Sequence, residues 1–393
     1  MTKVPIEQIG LKVGLEVHQQ LATKKKLFCN CTPMESDEYT SKFVRKLRLS
    51  KSELGEYDPA ALFERTKSKR IVYYANPESS CLVEKDDEPP HPIDSDAKKI
   101  ALLIASTLNS KIFNEIYAMR KIVIDGSNTS GFQRTMLVSM GGNLDVNGEK
   151  VGVQSICLEE DAAKLLNDKD SVREFSLDRL GVPLIEIALE PVTASPSKIK
   201  KIALTVGRLL RTTKMVARGL GSIRQDVNVS IMDGGVVEVK GVQQLEQLEK
   251  VVEYEAKRQH GLILISEKLK ERKLKKILKD DDVFDITQAF SNCKSKVIQK
   301  ALKENATIKA IRIKNFAGMF SYSPYEEIRL GKEIGQLVRF FGIGGVFHSD
   351  ELPNYGIEDS NVEEIKKILD VGPEDGFLII AANESKIDFA INS

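Results

Sequence analysis

The chain has 393 residues, which at roughly 150 residues per domain suggests two to three domains. Hydrophobic residues make up 41% and charged residues 29%, enough apolar material for a real core and too much for a disordered or collagen-like chain. Lys and Arg total 58 against 57 Asp and Glu, a formal net charge of +1, so a globally basic nucleic-acid coat is excluded and any RNA contact must rest on local patches.

The first predicted element is a strand over Leu11–Leu21, in which Val13, Leu15, Val17 and Leu21 form one face and Glu16 and His18 lie on the other. A Lys run leads into a loop containing Cys29, Asn30, Cys31 and Pro33. The charged stretch Ser52–Arg70 reads as helical, and Ile71–Ala75 as a short strand. Glu84–Pro92 reads as a turn-rich acidic loop in which Pro stops any helix, and a helix from Asp96 to Leu108 follows with Ile100, Leu103, Ile104 and Leu108 on one stripe.

Strand patterns then dominate: Lys121–Asp125, Gly131–Met140, Val151–Glu159 and Leu184–Leu189, with hairpin turns at Gly141–Asn143 and Asn147–Gly148. Ser195 or Ser197 caps a helix reaching Thr213. Strands at Ile223–Ile231 and Val236–Val239 flank Asp233–Gly235, and a helix runs from Val242 to about Gln259. The basic run Glu267–Asp282 reads as a solvated helix between domains rather than an RNA-binding stripe. A separate α+β unit follows, with strands at Lys309–Ile313 and Gly376–Ala382. The boundary is placed near residue 280, giving domains 1–280 and 281–393.

No apolar run approaches the roughly 18 residues needed to span a bilayer, and Met1–Gly10 lacks a signal-peptide pattern. Five cysteines, odd in number and unevenly spaced, argue against a secreted disulfide scaffold, so a reducing cytoplasm is the expected compartment.

GxxxxGK[ST], HExxH and GxSxG motifs are all absent, so ATP, if used, is not held by a Walker loop; Gly342, Gly344 and Gly345 read as a turn. What remains is a set of acids beside one early histidine. Glu16 and His18 share a strand face, Glu159, Glu160 and Asp161 end another strand, and Glu186 interrupts the apolar run Val182–Leu189. A carboxylate there is costly to bury unless paired or bound to a cation. Arg224 and Asp226 lie two apart, with Lys240 farther on. Carboxylates suit Mg²⁺ bridged to phosphates, and nearby Lys and Arg would neutralise a phosphoryl group. Each acid has an ordinary alternative, pairing with one of the many basic residues. Cys29 and Cys31 with Cys81 and His91 offer a three-Cys, one-His zinc set, but the partners are far apart and no second close pair exists. Cys157 and Cys293 read as buried small hydrophobes.

Five ordered stretches carry a resemblance: VGLEVHQQL (13–21), CLEEDAAK (157–164), DRLGVPLIEIALEP (178–191), GLGSIRQDVNVS (219–230) and VEVKG (237–241). Together they resemble the amidotransferase B/E family, which amidates misacylated glutamyl-tRNA. Ser52–Pro90 is more similar to the archaeal E-type branch than to the B-type, and the region after about 280 is similar to the insertion domain shared with bacterial aspartyl-tRNA synthetases.

The resemblance implies an α+β fold, a large mixed or antiparallel-sheet cradle flanked by helices and followed by the smaller, incomplete insertion domain. It implies ATP with Mg²⁺, tRNA(Gln) charged with Glu, and an asparaginase-like D subunit that releases ammonia from glutamine or asparagine. By position, Glu16, His18, Glu159 or Glu160, and Glu186 would form the cation shell, with Glu16, His18 and Lys240 toward the nucleotide. Arg224, Asp226 and Lys240 would act on the phosphates or the glutamyl group. The family's E-type members continue into helical and tail segments, so the chain is expected to be truncated at Ser393. Two other readings are a non-catalytic tRNA- or partner-binding scaffold and a B-type subunit of a three-subunit enzyme.

Overall fold

A computed structural model of the chain describes residues 6–36, 38–52, 54–66, 69–169, 171–272, 282–291 and 293–392. Most of the basic run expected as a solvated helix therefore lies outside the described residues. Contacts divide the chain into two units: Gly10–Ser230 with Val236–Glu253, and Tyr254 onward with residues up to Ile9 and Ile231–Gly235.

In chain order the first unit carries β1 (Lys12–Gln20), β2 (Ser41–Lys46), α1 (Pro59–Thr66), β3 (Arg70–Ala75), α2 (Ser95–Thr107), β4 (Lys111–Ile112), β5 (Ala118–Ile122), β6 (Phe132–Met140) and β7 (Asn143–Val146). It continues with β8 (Glu149–Glu160), β9 (Lys164–Lys169), β10 (Val172–Ser176), β11 (Pro183–Leu189), α3 (Pro196–Thr212), β12 (Ile223–Ser230), β13 (Val237–Val242) and the start of α4 (Leu245–Glu271). The main sheet has nine strands in the order β13-β12-β1-β11-β8-β6-β4, with β5 pairing β6 and β7 pairing β8, all antiparallel.

The period of two in these strands separates the faces. Val13, Leu15, Val17, Ile185, Ile187, Val227 and Val229 are all buried, and α2 and α3 pack on the sheet. Of the stripe expected on α2, Ile100, Ile104 and Leu108 are buried, but Leu103 is exposed because Ala97, Ala101 and Ala105 complete the packed face. Asp94 and Ser195 cap α2 and α3 by accepting from Ala97 N and Lys198 N. The β7–β8 hairpin turns at Asn147 and Gly148, both at positive φ, as the Asn-Gly pair requires.

Of a second sheet, β2-β3-β10-β9, only β3 is legible in the sequence, as the strand expected at Ile71–Ala75. Its β3–β10 pair is parallel and the others antiparallel. It packs Ile71, Tyr73, Phe175, Leu177 and Leu180 into their own cluster. Its strands β2 and β9 are largely exposed and charged, so neither alternates cleanly. Among the described residues the helix expected over Ser52–Arg70 is confined to α1, and before it Gly55 at positive φ and Pro59 favour turns.

The second unit holds β14 (Val283–Asp285), α5 (Lys296–Lys303), β15 (Thr307–Ile313), α6 (Leu330–Phe340), β16 (Val346–His348), α7 (Asp359–Leu369), β17 (Gly376–Ala382) and α8 (Glu384–Asn392). Its sheet runs β14-β15-β17-β16, all antiparallel. Residues of β17 are buried on both faces, Phe377 and Ile379 in one cluster and Leu378 and Ile380 in another, which is why Phe377–Ile380 is an unbroken apolar run. The sequence placed the boundary near 280, whereas the contacts divide at Glu253/Tyr254. The reason is that the later turns of α4 bury Ile265, with Leu262 and Leu269 against it, in the cluster of Phe316 and Phe320.

Candidate active site

Antiparallel register builds the site. His18 on β1 sits opposite Glu186 on β11 and Arg224 on β12, and Glu16 sits opposite Asp226. Glu186 in turn faces Cys157 on β8. These side chains occupy the face opposite the apolar rows, so one strand period converts four sequence-distant segments into one polar surface.

His18 Nε2 lies 3.1 Å from Glu186 Oε2, both largely buried. Burial pushes the His18 proton affinity down, but the Glu186 hydrogen bond and charge outweigh it, and the imidazole is held above its ordinary value. Glu186 is also opposed by burial, yet His18, Lys121 and Lys240 keep it below the usual carboxylate range. Glu159 is the reverse case: burial first, then the charge of Glu186, raise it, although it accepts a 3.1 Å bond from Thr135 Oγ1 and one of 3.2 Å from Gln133 Nε2. Lys121 Nζ reaches both acids, at 4.0 Å from Glu159 and 3.9 Å from Glu186. Burial beside these carboxylates lifts the Cys157 thiol to about 12, which makes it an inert, protonated neighbour.

One donor atom each from His18, Glu159 and Glu186 lies within 4.8 Å of the others. One imidazole and two carboxylates so arranged are a donor set for a divalent cation, and His18 Nδ1 is buried without a partner among the described residues. A second group, Glu16, Asp226 and Glu238, meets the same distance. Burial, then Glu186 and Glu238, raise Glu16, which accepts from Asn228 Nδ2 at 3.1 Å. Asp226 accepts from Gly241 N at 2.7 Å, and the exposed Lys240 ammonium spans Glu238 at 2.6 Å and Asp226 at 3.5 Å.

The structure separates the two neighbouring glutamates. Glu160 points to the other face of β8, where Arg134 Nη1 holds it at 3.0 Å and the Arg134 amide donates to it at 3.1 Å. It is therefore not beside His18, and of the two only Glu159 joins the group. Arg224 is anchored by Asp161, a fully buried carboxylate that accepts from Arg224 Nη2 at 3.0 Å, Gln20 Nε2 at 2.7 Å and Ala162 N at 2.9 Å. Sequence reasoning named Asp161 among the acids without assigning it, and missed Lys121, Gln20 and Glu238. Gln20 was recoverable, since it continues the Glu16–His18 alternation.

The cysteine loop also gathers donors, with one exchange. Cys29, Cys31, Cys81 and Glu84 each place a donor within 4.8 Å of the rest. Glu84 takes the place expected for His91, which instead sits partly exposed at 3.0 Å from Glu88. Glu84 accepts from Cys29 Sγ at 2.8 Å and Cys81 N at 2.8 Å, and the fully buried Lys26 ammonium lies 3.8 Å away. Burial raises the Cys81 thiol to about 11 and, with the hydrogen bond to Cys31 leading, Cys29 still further. Three thiols and a carboxylate match the donor preferences of a zinc-class ion.

The description "GatB/GatE catalytic domain" matches residues 11–330, more than half of the chain and all of the acidic face. The chain belongs to the GatB/GatE family. A second match, "GAD domain", covers residues 298–391, where the smaller insertion-type α+β domain was expected. The chain is 48% identical to the E subunit of glutamyl-tRNA(Gln) amidotransferase from Sulfurisphaera tokodaii and 47% identical to that from Methanocaldococcus jannaschii, over 100% of this chain and 63% and 62% of theirs. The Sulfolobus acidocaldarius protein of the same name is 46% identical over the same share of this chain and 62% of its own. This GatB/GatE member thus spans a little over three fifths of the length of the curated relatives it matches. Among the described residues no helix is long and apolar enough to cross a membrane.

Proposed function

We propose that the acidic face is the kinase centre of a tRNA-dependent amidotransferase, phosphorylating the γ-carboxylate of glutamate esterified to tRNA(Gln) at the expense of ATP. One observation carries the reading: β1, β8, β11 and β12 bring His18, Glu159 and Glu186 beside Glu16 and Asp226 on a face that also bears Arg224 and Lys240. So many ionisable groups on one sheet face are costly unless a cation and a phosphate complete them.

In this reading His18, Glu159 and Glu186 would hold Mg²⁺, whose charge would offset that of the ATP phosphates. Arg224, braced by Asp161, and Lys240 would meet the transferring phosphoryl group or the glutamyl carboxylate. An oxygen of the γ-carboxylate forms a bond to the γ-phosphorus as the bond to ADP breaks. Ammonia then attacks the activated carbonyl carbon, phosphate leaves with its electron pair, and the nitrogen loses a proton to give the amide. The ammonia would come from an asparaginase-like partner protein acting on glutamine or asparagine.

The test is transfer of ³²P from γ-labelled ATP in the presence of Glu-tRNA(Gln), Mg²⁺ and ammonium. Label release should depend on charged tRNA and fall at least about a hundredfold in Glu186→Gln and His18→Ala, the scale expected when a metal ligand or phosphate-stabilising group is removed. Wild-type rates in Glu186→Gln would refute the assignment. Binding of tRNA without any ATP-dependent label transfer would favour the scaffold reading.

A further inference from the structure

Charge is segregated along this nearly neutral chain. Residues 41–70 contain nine Lys and Arg against four Asp and Glu, a net +5, which leaves −4 for the other 363 residues. The described residues of this segment include β2, α1 and the start of β3. Register places Lys46 on β2 directly opposite Arg70 on β3. Like charges at directly opposed sheet positions are destabilising unless something between them is negative. A cavity of about 260 Å³ opens there, lined by five cations (Lys46, Arg65, Lys69, Arg70 and Arg173) and two acids, Glu64 and Asp125.

The cations divide by partner. Arg173 is nearly buried at the base, 3.2 Å from Glu64 and 2.9 Å from Asp168, and donates to Asp125 O at 2.8 Å. Lys69 is paired with Asp168. Lys46, Arg65 and Arg70 are exposed and make no ion pair among the described residues, although acids were available nearby: Arg45 and Arg48 are neutralised by Asp87 and Asp86. Three cations without an ion pair among the described residues are thus brought to one concave site.

We propose that this basic module is a docking surface for the phosphate backbone of RNA, with the cavity seating a phosphate between Lys46, Arg65 and Arg70. RNA is favoured over an anionic membrane because the cations converge on a concave site, which a phosphate projecting from a strand can enter and a flat bilayer surface cannot. It is also favoured by the +1 net charge, which requires any RNA contact to be local. The inference rests on the reading of the acidic face in taking tRNA as the partner, and it places the RNA body on a sheet other than the one that carries the chemistry.

The experiment titrates fluorescent tRNA(Gln) transcript with the whole chain at several salt concentrations. The triple variant Lys46→Ala, Arg65→Ala, Arg70→Ala should bind about tenfold or more weaker, and its log K against log salt slope should flatten by about two to three, roughly 0.7–0.9 for each phosphate no longer neutralised. The control Lys296→Ala, Lys300→Ala, Lys303→Ala removes the same charge from exposed positions on α5 and should leave the slope unchanged. Photo-crosslinking of wild-type protein to thiouridine-substituted tRNA should label peptides from residues 41–70, a readout independent of how the variant folds. An unchanged slope, an equal loss in the control, labelling only elsewhere, or tighter binding to phosphatidylserine vesicles than to tRNA would each overturn the proposal. Phosphoryl transfer is read separately. Its loss in Glu186→Gln with RNA binding intact bears only on the acidic face, and failure of wild-type protein to bind tRNA overturns this surface whatever the transfer assay shows.

Discussion

Asp161→Asn separates positioning from chemistry, because the carboxylate touches the proposed reaction only through Arg224. Asparagine keeps the volume, and its amide oxygen can still accept from the Ala162 amide or from Gln20. What it cannot supply is a negative charge, fully buried, 3.0 Å from Arg224 and 3.8 Å from Arg179. Breaking a wholly buried pair costs about 3–5 kcal/mol, and losing one hydrogen bond to a charged group about 1.5–3 kcal/mol. The Arg224 side chain is 24% exposed and can rehydrate in part, which argues for the lower part of this range, about 2 kcal/mol. The assay is urea unfolding of the first unit followed by hydrogen exchange in β1 and β12, compared at matched pH. The variant should also raise the KM for charged tRNA or ATP more than it lowers kcat, because Arg224 is displaced rather than removed. A stability change under about 0.5 kcal/mol would refute the claim that Asp161 bears the arginine, as would a kcat loss equal to that of Arg224→Ala with KM unchanged.

Further outcomes follow from the same geometry. His18 is raised above 6.5 and Glu186 lowered below 4.5, so in metal-free protein their pairing stabilises most between those two ordinary values. That stabilisation should fade as pH rises through the elevated folded value of His18, and also as pH falls through the depressed value of Glu186. Urea midpoints of wild type and Glu186→Gln in EDTA should therefore differ most near pH 5–6 and converge above neutrality; a gap that widens with pH would contradict the pairing. At the thiol cluster, elemental analysis of purified protein should find about one zinc-class ion per chain, falling sharply in Cys81→Ser and Glu84→Gln. A metal-free wild type would mean that Lys26 alone balances Glu84.

Much of the acidic face was legible because strand periodicity is a local property. Glu16 and His18 share a face by a spacing of two, and Glu186 stands out because water-loving charge interrupts an apolar run. Glu159 and Glu160 show the limit of that rule. Adjacent strand residues lie on opposite faces, and which one faces His18 depends on the pairing of β8 with β11 and β6, where Glu159 meets Leu184 and Thr135. The cysteine cluster was legible in three of its four members, and the fourth was missed for a related reason: the Cys29 loop and the Cys81–Glu84 turn are about fifty residues apart, and only their packing shows that Glu84, not His91, completes the set.

The sequence by itself determined where most strands of the main sheet lie and the chemistry offered by its histidine and acids, which follow from side-chain type and a period of two, and five ordered motifs carried the family, whose resemblance implied the α+β class and a mixed or antiparallel sheet. Tertiary structure alone decided which charges meet. It turned Glu160 toward Arg134, placed Asp161 under Arg224, set Lys46 against Arg70 and carried the end of α4 into the second core. Coulomb and desolvation terms depend on distances of a few ångströms between residues as far apart in sequence as Glu16 and Asn228, and only the folded backbone sets those distances.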